Sequence, residues 1–170
     1  MKSEKIYLVG KSGSGKDHLM RYLRDEKNLK HSLKITTRPS RKNERNGIDY
    51  NFISKEDFQT LIKENKLDSY EVYNEWYYGV ELNDFENNQV FIKTPSEVAK
   101  LTEDQRKRTF VVYIDVDEET RRKRLSRRND ADSVERRIKS DEMDFKDFKD
   151  YDLRISDPEF DPEMIYDLML

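Results

Sequence analysis

A glycine-rich stretch near the start of the chain has the spacing of a phosphate-binding loop. Residues 10–16 read G-K-S-G-S-G-K, after the apolar run 6–9 and before a helical pattern with Leu19, Met20 and Leu23 on one face. A strand, a glycine-rich loop and a helix in this order place backbone N–H groups around a phosphate, and the lysine adds a mobile positive charge. The residues expected to contact phosphate are Gly10, Ser12, Gly13, Ser14, Gly15 and Lys16. We therefore predict a site for a nucleoside triphosphate.

The next residue, Asp17, departs from the usual form of this loop. The loop ordinarily ends in Ser or Thr, whose hydroxyl binds Mg²⁺. A carboxylate is also a hard oxygen ligand, so Asp17 is a candidate metal ligand. The alternative interpretation is that its negative charge repels the phosphates and marks a weakened enzyme.

The 170-residue chain has the length of one domain, and its composition is dominated by charge. Charged residues make up 41% against about 25% in typical domains, yet the net charge is only −3, so no overall basic field points to nucleic acid. There are no cysteines, and the two histidines are too far apart to suggest zinc. No apolar run approaches membrane-spanning length, and we expect no signal peptide. We expect a cytoplasmic protein without nucleic-acid or membrane partners.

Apolar, β-branched runs alternate with amphipathic segments along the chain, which predicts an α/β fold. Strands are predicted at 5–9, 33–37, 50–53, 90–92, 110–114 and 153–155, with a hairpin or strand pair within 69–80. Helices are predicted at 16–27, 118–127, 132–148 and 161–170, and two more beginning at Ser54 and Ser96. The alternation favours a parallel sheet with helices on both faces. The polar, aromatic-rich middle of the chain, 36–89, has the character of an insertion.

Three motifs in that middle segment carry a resemblance to a known family. Residues 36–41 read T-T-R-P-S-R, residues 46–52 read N-G-I-D-Y-N-F, and residues 77–79 read Y-Y-G. In this order, and at this distance from the phosphate loop, they resemble guanylate kinase, and the likeness covers nearly the whole chain. The resemblance implies a P-loop kinase with a small acceptor-binding insert and an arginine-rich lid. The implied divisions are a core at 1–35 and 90–170, a nucleoside-monophosphate-binding insert at 36–89, and a lid at 126–137.

The resemblance also implies which residues hold each substrate. The positions that match those holding the acceptor's monophosphate are Arg38, Arg41, Tyr50 and Tyr78. The positions that match arginines clamping the triphosphate are Arg124, Arg128 and Arg137. Catalytic roles are implied for Lys16, Arg38, Arg128 and Arg137, with ATP and Mg²⁺ as cofactors. The alternatives are a solvated arginine loop at 38–41 and a basic helix surface or nucleic-acid patch at 121–124, although the acidic run 141–150 argues against nucleic acid.

Several positions depart from the pattern by which the family reads guanine. Ser69 stands where the family has Glu, Lys93 where it has Asp, Lys34 where it has Ser, and Val80 where it often has Ser or Thr. Guanine presents N–H donors on the edge that is read, and lysine has no acceptor for them, so Lys93 suits a base carbonyl such as guanine O6 or pyrimidine O4. Either Glu71 or Asp68 could supply the missing carboxylate if the loop is shifted. The acceptor base is therefore not necessarily guanine.

The predicted function is ATP-dependent phosphorylation of a nucleoside monophosphate, a small-molecule nucleotide. One alternative is a ribose-bisphosphate phosphokinase, which shares the G-K-D sequence at 15–17 but is a poorer match to 47–50 and 77–79. The other is a non-catalytic guanylate-kinase-like binding module, against which the intact phosphate loop and the lid arginines argue. The sequence leaves open the acceptor base, the choice of ribose or deoxyribose, and the oligomeric state.

Overall fold

The computed structural model describes residues 3–128 and 133–170, and these divide between two units. One unit joins the two ends of the chain, Met1–His31 and Gln89–Leu170, and the other is the intervening segment Ser32–Asn88. The limits of the intervening unit lie close to those predicted for the insert, 36–89. The role of that unit in binding a nucleoside monophosphate stays a prediction.

Strands and helices alternate along most of the described chain. The strands are β1 (Lys5–Gly10), β2 (Ile35–Thr36), β3 (Asn51–Phe52), β4 (Leu67–Tyr73), β5 (Trp76–Glu81), β6 (Val90–Lys93), β7 (Thr109–Ile114) and β8 (Leu153–Ile155). The helices are α1 (Lys16–Asp25), α2 (Lys55–Lys63), α3 (Asp84–Asn87), α4 (Pro95–Ala99), α5 (Glu103–Lys107), α6 (Glu118–Ser126), α7 (Val134–Asp144) and α8 (Pro162–Met169).

The larger unit is built on a four-stranded sheet in the order β6-β1-β7-β8, with every neighbouring pair parallel. All six residues of β1 are buried, as expected of a central parallel strand that is covered on both faces. The core joins Ile6 and Leu8 of this strand to Leu19 of α1 and Ile165 of α8. Packing therefore fixes the point at which β1 delivers the chain into the phosphate loop.

The smaller unit has a four-stranded sheet of its own, in the order β3-β2-β5-β4. Helix α2 begins where predicted, because the Ser54 side chain caps it by accepting a hydrogen bond from Asp57 N at 3.0 Å. Phe58 of this helix is fully buried against Gly79 of β5. A Cβ atom at position 79 would lie 2.8 Å from the Phe58 ring, so this close approach of helix and strand requires glycine.

The short helices differ most from the prediction. Helix α4 begins at Pro95 rather than Ser96, because Thr94 is its N-cap and forms a reciprocal capping box with Glu97. Helix α5 was not predicted, since it buries none of its residues and so shows no apolar periodicity. Helix α7 covers only part of the predicted 132–148, and the predicted lid at 126–137 includes residues 129–132, which lie outside the described residues.

The prediction of an α/β fold with a parallel sheet flanked by helices is confirmed. Within the two described ranges, no helix is both long enough and apolar enough to cross a membrane.

Candidate active site

The phosphate loop has the backbone conformation that its glycines permit. Gly13 and Gly15 have φ angles of +78° and +104°, in the left-handed region that residues with a Cβ rarely adopt. At Gly10, an added Cβ would lie 2.8 Å from the carbonyl oxygen of Ile114. The loop thus closes tightly between the end of β1 and the start of α1, whose N-terminal N–H groups favour an anion.

The side chain of Lys16 is folded back onto the loop that precedes it. Its Nζ donates hydrogen bonds to the carbonyl oxygens of Gly10 and Lys11, the second at 3.1 Å. Burial lowers the pKa of Lys16 to about 8, although the charges of Asp17 and Asp141 oppose the shift. A bound polyphosphate would favour the charged ammonium, so this lysine is suited to respond to an anionic ligand.

Three arginines of the larger unit lie around the same loop. Arg124 Nη1 donates to Gly13 O at 3.1 Å and its Nη2 donates to Pro158 O at 2.8 Å, so α6 is tied to the loop. Arg124, Arg128 and Arg137 line one cavity of about 500 Å³ together with loop residues 12–16. The structure thus brings together every predicted triphosphate-binding residue except Gly10, which lies at the base of the loop.

Asp17 follows the loop in the first turn of α1, and its side chain is exposed on the same cavity. Its carboxylate supplies a hard oxygen donor of the kind that Mg²⁺ prefers, so the residue fits a metal-binding role. The described residues contain no cluster of three or more acidic or histidine side chains arranged to hold a metal ion. A Mg²⁺ ion at this position would therefore take most of its ligands from the phosphates of the nucleotide and from water.

Two further charged residues at the loop were not singled out from the sequence. Asp141 of α7 accepts a hydrogen bond from Ser12 N–H at 2.9 Å, and Arg121 of α6 lies 4.0 Å from the same carboxylate oxygen. The sequence places Asp141 in an acidic run and Arg121 in a basic run, and both resemble solvated helix faces. A signal was present, since Asp141 follows Arg137 by four residues and must share its helix face.

The smaller unit holds the predicted monophosphate-binding arginine in a defined position. Arg38 is 6% exposed, and its two terminal nitrogens donate to the two carboxylate oxygens of Glu44 at 2.8 and 2.9 Å. These hydrogen bonds raise the pKa of Arg38. Burial raises the pKa of Glu44, but the hydrogen bonds from Arg38 and from the Arg41 N–H outweigh burial and leave it lowered. Glu44, which belongs to none of the sequence motifs, therefore orients the Arg38 fork.

Two of the other residues predicted to bind the monophosphate, both tyrosines, lie near Arg38. The Arg38 guanidinium lies 5.3 Å from the centre of the Tyr50 ring, and the Tyr50 and Tyr78 rings are 6.5 Å apart. Arg41 has an exposed side chain, on the same loop as Glu44. Arg38, Tyr50 and Tyr78 are thus neighbours, and together they provide a fixed cation and phenol hydroxyls suited to a phosphate dianion.

The candidate base-reading residues are divided between the two units. Ser69 is exposed on β4 and pairs with Val80 of β5, whereas Glu71 pairs with Tyr78. Directly paired residues project from the same face of a sheet, so Glu71 shares a face with Tyr78. Lys93 ends β6 in the larger unit, where its Nζ lies 3.4 Å from Glu97.

Asp68, the other carboxylate considered for base reading, is engaged elsewhere, since its Oδ2 accepts a hydrogen bond from Asp84 N at 3.3 Å. A second cavity of about 500 Å³ in the smaller unit, lined in part by Ile35, Leu61 and Lys66, includes none of the predicted site residues.

The fold and the loop define a class of protein. A parallel sheet whose first strand leads through a phosphate loop into a helix, with a lysine and arginines around one cavity, is typical of P-loop enzymes that transfer phosphoryl groups. The model of the guanylate kinase family matches residues 2–168. The chain belongs to the guanylate kinase family.

Individual relatives agree with this assignment. The chain is 30% identical over 165 residues to a guanylate kinase of Mycoplasma genitalium, a match that covers 91% of this chain and 69% of that protein. It is 37% identical over 114 residues to a guanylate kinase of Rickettsia prowazekii, which covers 66% of this chain and 49% of that protein. The match thus spans about two thirds of the first relative's length and about half of the second's.

A solved structure shows the same fold. The guanylate kinase of Anaplasma phagocytophilum superimposes with a TM-score of 0.63 and 20% identity, over 99% of this chain and 84% of that one. The predicted family, the P-loop kinase fold and the phosphotransferase class are confirmed, and the chain is a nucleoside monophosphate kinase of the guanylate kinase type. The comparisons favour neither the ribose-bisphosphate phosphokinase nor the non-catalytic module. The roles of individual residues stay predictions.

Proposed function

We propose that the chain transfers the γ-phosphoryl group of ATP to the phosphate of a nucleoside monophosphate. The main observation behind this proposal is one cavity lined both by the phosphate loop, including Lys16, and by three arginines from the C-terminal part of the chain. A site with so many cations suits a polyphosphate, and permanent guanidinium charge suits the charge that spreads over a transferring phosphoryl group.

The chemistry needs little from the protein beyond position and charge. An oxygen of the acceptor phosphate attacks the γ-phosphorus, a new P–O bond forms, and the bond to the departing ADP oxygen breaks. The acceptor phosphate is already ionised near neutral pH, so no strong general base is required. Lys16 and the loop N–H groups hold the triphosphate, and Arg124, Arg128 and Arg137 neutralise its charge.

Magnesium is expected to accompany ATP, as is general in the family. When bound, Mg²⁺ would draw negative charge from the β- and γ-phosphates. Asp17 is the residue of the described chain that we assign to it, because its exposed carboxylate occupies the position where this kind of loop ordinarily carries a hydroxyl ligand.

The acceptor's phosphate is assigned to Arg38, Arg41, Tyr50 and Tyr78. The Arg38 fork donates to both carboxylate oxygens of Glu44, and this two-pronged geometry toward an anion supports the assignment. The phenol hydroxyls of Tyr50 and Tyr78 add neutral donors beside it. Because the guanidinium fork is planar and rigid, this group favours a phosphate monoester over a single-oxygen ligand.

The candidate base-reading residues support two interpretations of which base is preferred, and one experiment distinguishes them. Ser69 and Lys93 lack the carboxylate acceptors that guanine's N–H donors require, and Lys93 suits only a carbonyl, which guanine O6 and pyrimidine O4 both present. The missing acceptors therefore favour a base other than guanine. Glu71 shares a sheet face with Tyr78 and supplies a carboxylate from a neighbouring position. We propose the first interpretation, in which guanine is not the preferred base. The oligomeric state and a cytoplasmic location stay open to experiment.

The test is an assay of ADP release with MgATP and a panel of ribo- and deoxyribonucleoside monophosphates, with ribose 1,5-bisphosphate included. Turnover that depends on a nucleoside monophosphate supports the proposed function, and the preferred base tests the assignment of Ser69 and Lys93. A strong preference for GMP that is lost in Glu71→Gln would show that Glu71 reads guanine. Folded protein that turns over with none of these acceptors would overturn the proposed function.

A further inference from the structure

A carboxylate of the chain itself lies at the phosphate loop, where the anion of a ligand is expected. Asp141 Oδ2 accepts a hydrogen bond from the backbone N–H of Ser12 at 2.9 Å, although the two residues are 129 positions apart in sequence. The Asp141 side chain is 14% exposed, so water screens its charge only in part. Backbone N–H groups of such a loop are the donors that bind phosphoryl oxygens.

Two cations complete the surroundings of this carboxylate. Arg121 is 3% exposed, and its Nη1 lies 4.0 Å from Asp141 Oδ2 while having no hydrogen-bond partner among the described residues. Its Nε donates to Val116 O at 3.0 Å, which holds the guanidinium in place. Lys16 is near enough for the two charges to interact: burial lowers the pKa of Lys16, and the charge of Asp141 opposes that shift. A backbone N–H, a guanidinium and an ammonium are together the groups that hold a phosphoryl oxygen.

We propose that Asp141 is a resident anion of the phosphate loop, which fills a phosphoryl-oxygen subsite in the free protein and competes with the phosphates of ATP. This inference rests on the proposed function, since it requires that ATP binds at this loop. The carboxylate lowers the affinity for ATP by occupying a donor and by adding a like charge beside the triphosphate.

Asp141 lies on α7, so replacement of its carboxylate by a phosphoryl oxygen also affects how this helix contacts the loop. Arg137 precedes Asp141 by four residues, so both side chains lie on one face of this helix. Arg137 lines the same cavity as the loop. When a phosphoryl oxygen takes the Ser12 N–H, Asp141 gives up this hydrogen bond, and the contact that it makes between α7 and the loop is broken.

The experiment compares ATP binding to wild-type protein, Asp141→Asn and Asp144→Asn by titration calorimetry, with Mg²⁺ and again in EDTA. Asparagine keeps the shape and an acceptor oxygen but removes the charge. Asp144, exposed at the end of the same helix, is the matched control. We expect Asp141→Asn to bind ATP about tenfold more tightly, or ~1.4 kcal/mol, in both conditions, and Asp144→Asn to bind as wild type does.

Removing the carboxylate leaves a buried guanidinium without its anion, which lowers stability. The same comparison is therefore repeated between Arg121→Met and Arg121→Met/Asp141→Asn, where no buried charge is left unpaired in the double variant. The double variant should bind ATP more tightly than Arg121→Met alone.

The outcomes separate this inference from the proposed function. If wild-type protein binds ATP and Asp141→Asn binds it no more tightly, the inference is overturned alone. Weaker binding of Asp141→Asn only when Mg²⁺ is present would also overturn it and would make Asp141 a metal ligand. If neither protein binds ATP in either condition, the proposed function fails and the inference fails with it.

Discussion

Lys16 is a predicted triphosphate-binding residue whose pKa is lowered in the free protein. Its pKa in the free protein is about 8, below the ordinary 10.5, because burial disfavours the ammonium. A bound triphosphate favours the ammonium, so binding above pH 8 must take up a proton. We predict that ATP affinity falls as the pH rises above 8, by up to about tenfold per pH unit. Calorimetry between pH 7 and 9.5 checks this, since the phosphates of ATP, with pKa values near 6, are already ionised there.

The control for this prediction is Lys16→Arg, whose guanidinium stays charged throughout the range. Its affinity should be independent of pH even if it is weaker overall. A wild-type affinity that is equally flat from pH 7 to 9.5 would contradict the assignment of the low pKa to the ligand-binding lysine.

The two interpretations of Asp17, as a metal ligand or as a charge that repels the phosphates, predict opposite effects of its replacement. If its carboxylate holds Mg²⁺, Asp17→Ser should raise the Mg²⁺ concentration needed for half-maximal turnover about tenfold, because the loss of one charged ligand costs ~1.4 kcal/mol or more. Titration of turnover against Mg²⁺ at saturating ATP measures this. Asp25→Ser, at the far end of α1, serves as the control for charge removal. Unchanged or improved turnover in Asp17→Ser would remove Asp17 from the metal site.

Among single residues, those that are close together in the sequence could be predicted, and those brought together only by the fold could not. The loop residues 10–16 are neighbours in sequence, and their spacing alone indicates a phosphate site. Arg38 and Tyr78 are implied by motifs of the same short-range kind. Glu44 and Asp141 belong to no motif, and Asp141 reaches Ser12 only through the fold, across 129 positions. Partners of this kind require knowledge of which helix packs against which loop.

Elements were predicted where an apolar pattern was long enough to fix their faces. Strand β1 is buried at every position, and α1 buries Leu19, Met20 and Leu23, so both carry strong periodic signals. Helix α5 buries none of its five residues, and only its capping box, from Thr102 to Gln105, marks it in the sequence. Short elements of this kind depend on their caps, and hydrophobic periodicity cannot find them.

Helix α4 gives a direct test of this dependence on caps. Thr94 Oγ1 accepts a hydrogen bond from Glu97 N at 3.3 Å, and Glu97 Oε2 accepts one from Thr94 N at 2.8 Å. We predict that Thr94→Ala lowers the free energy of unfolding by ~1 kcal/mol, as loss of an N-cap does. Urea denaturation measures the change. Ser96→Ala, at the residue first expected to start this helix, should change stability by less than about 0.5 kcal/mol. A larger effect at Ser96 than at Thr94 would contradict the assigned cap.

At the scale of the whole molecule, the two units carry separate sets of anion-binding residues. The phosphate loop and its arginines belong to the larger unit, whereas Arg38 and its tyrosines belong to the smaller one. A kinase of this type must bind two nucleotides, and we assign one of them to the cationic residues of each unit. Each ligand should therefore stabilise the folded protein by itself, by about 2.7 kcal/mol at a hundredfold excess over its Kd.

This division predicts a crossover between two variants. Lys16→Met removes the charge of the phosphate loop, so MgATP should no longer raise the melting temperature while the acceptor nucleotide still does. Arg38→Lys keeps a charge but loses the two-pronged fork, so the acceptor's effect should shrink while that of MgATP is unchanged. Thermal melts with each ligand alone, using the acceptor found by turnover, measure both effects, and melts without ligand control for folding. Loss of both effects in either variant, with unliganded stability intact, would show that the two nucleotides do not bind to separate sets of residues.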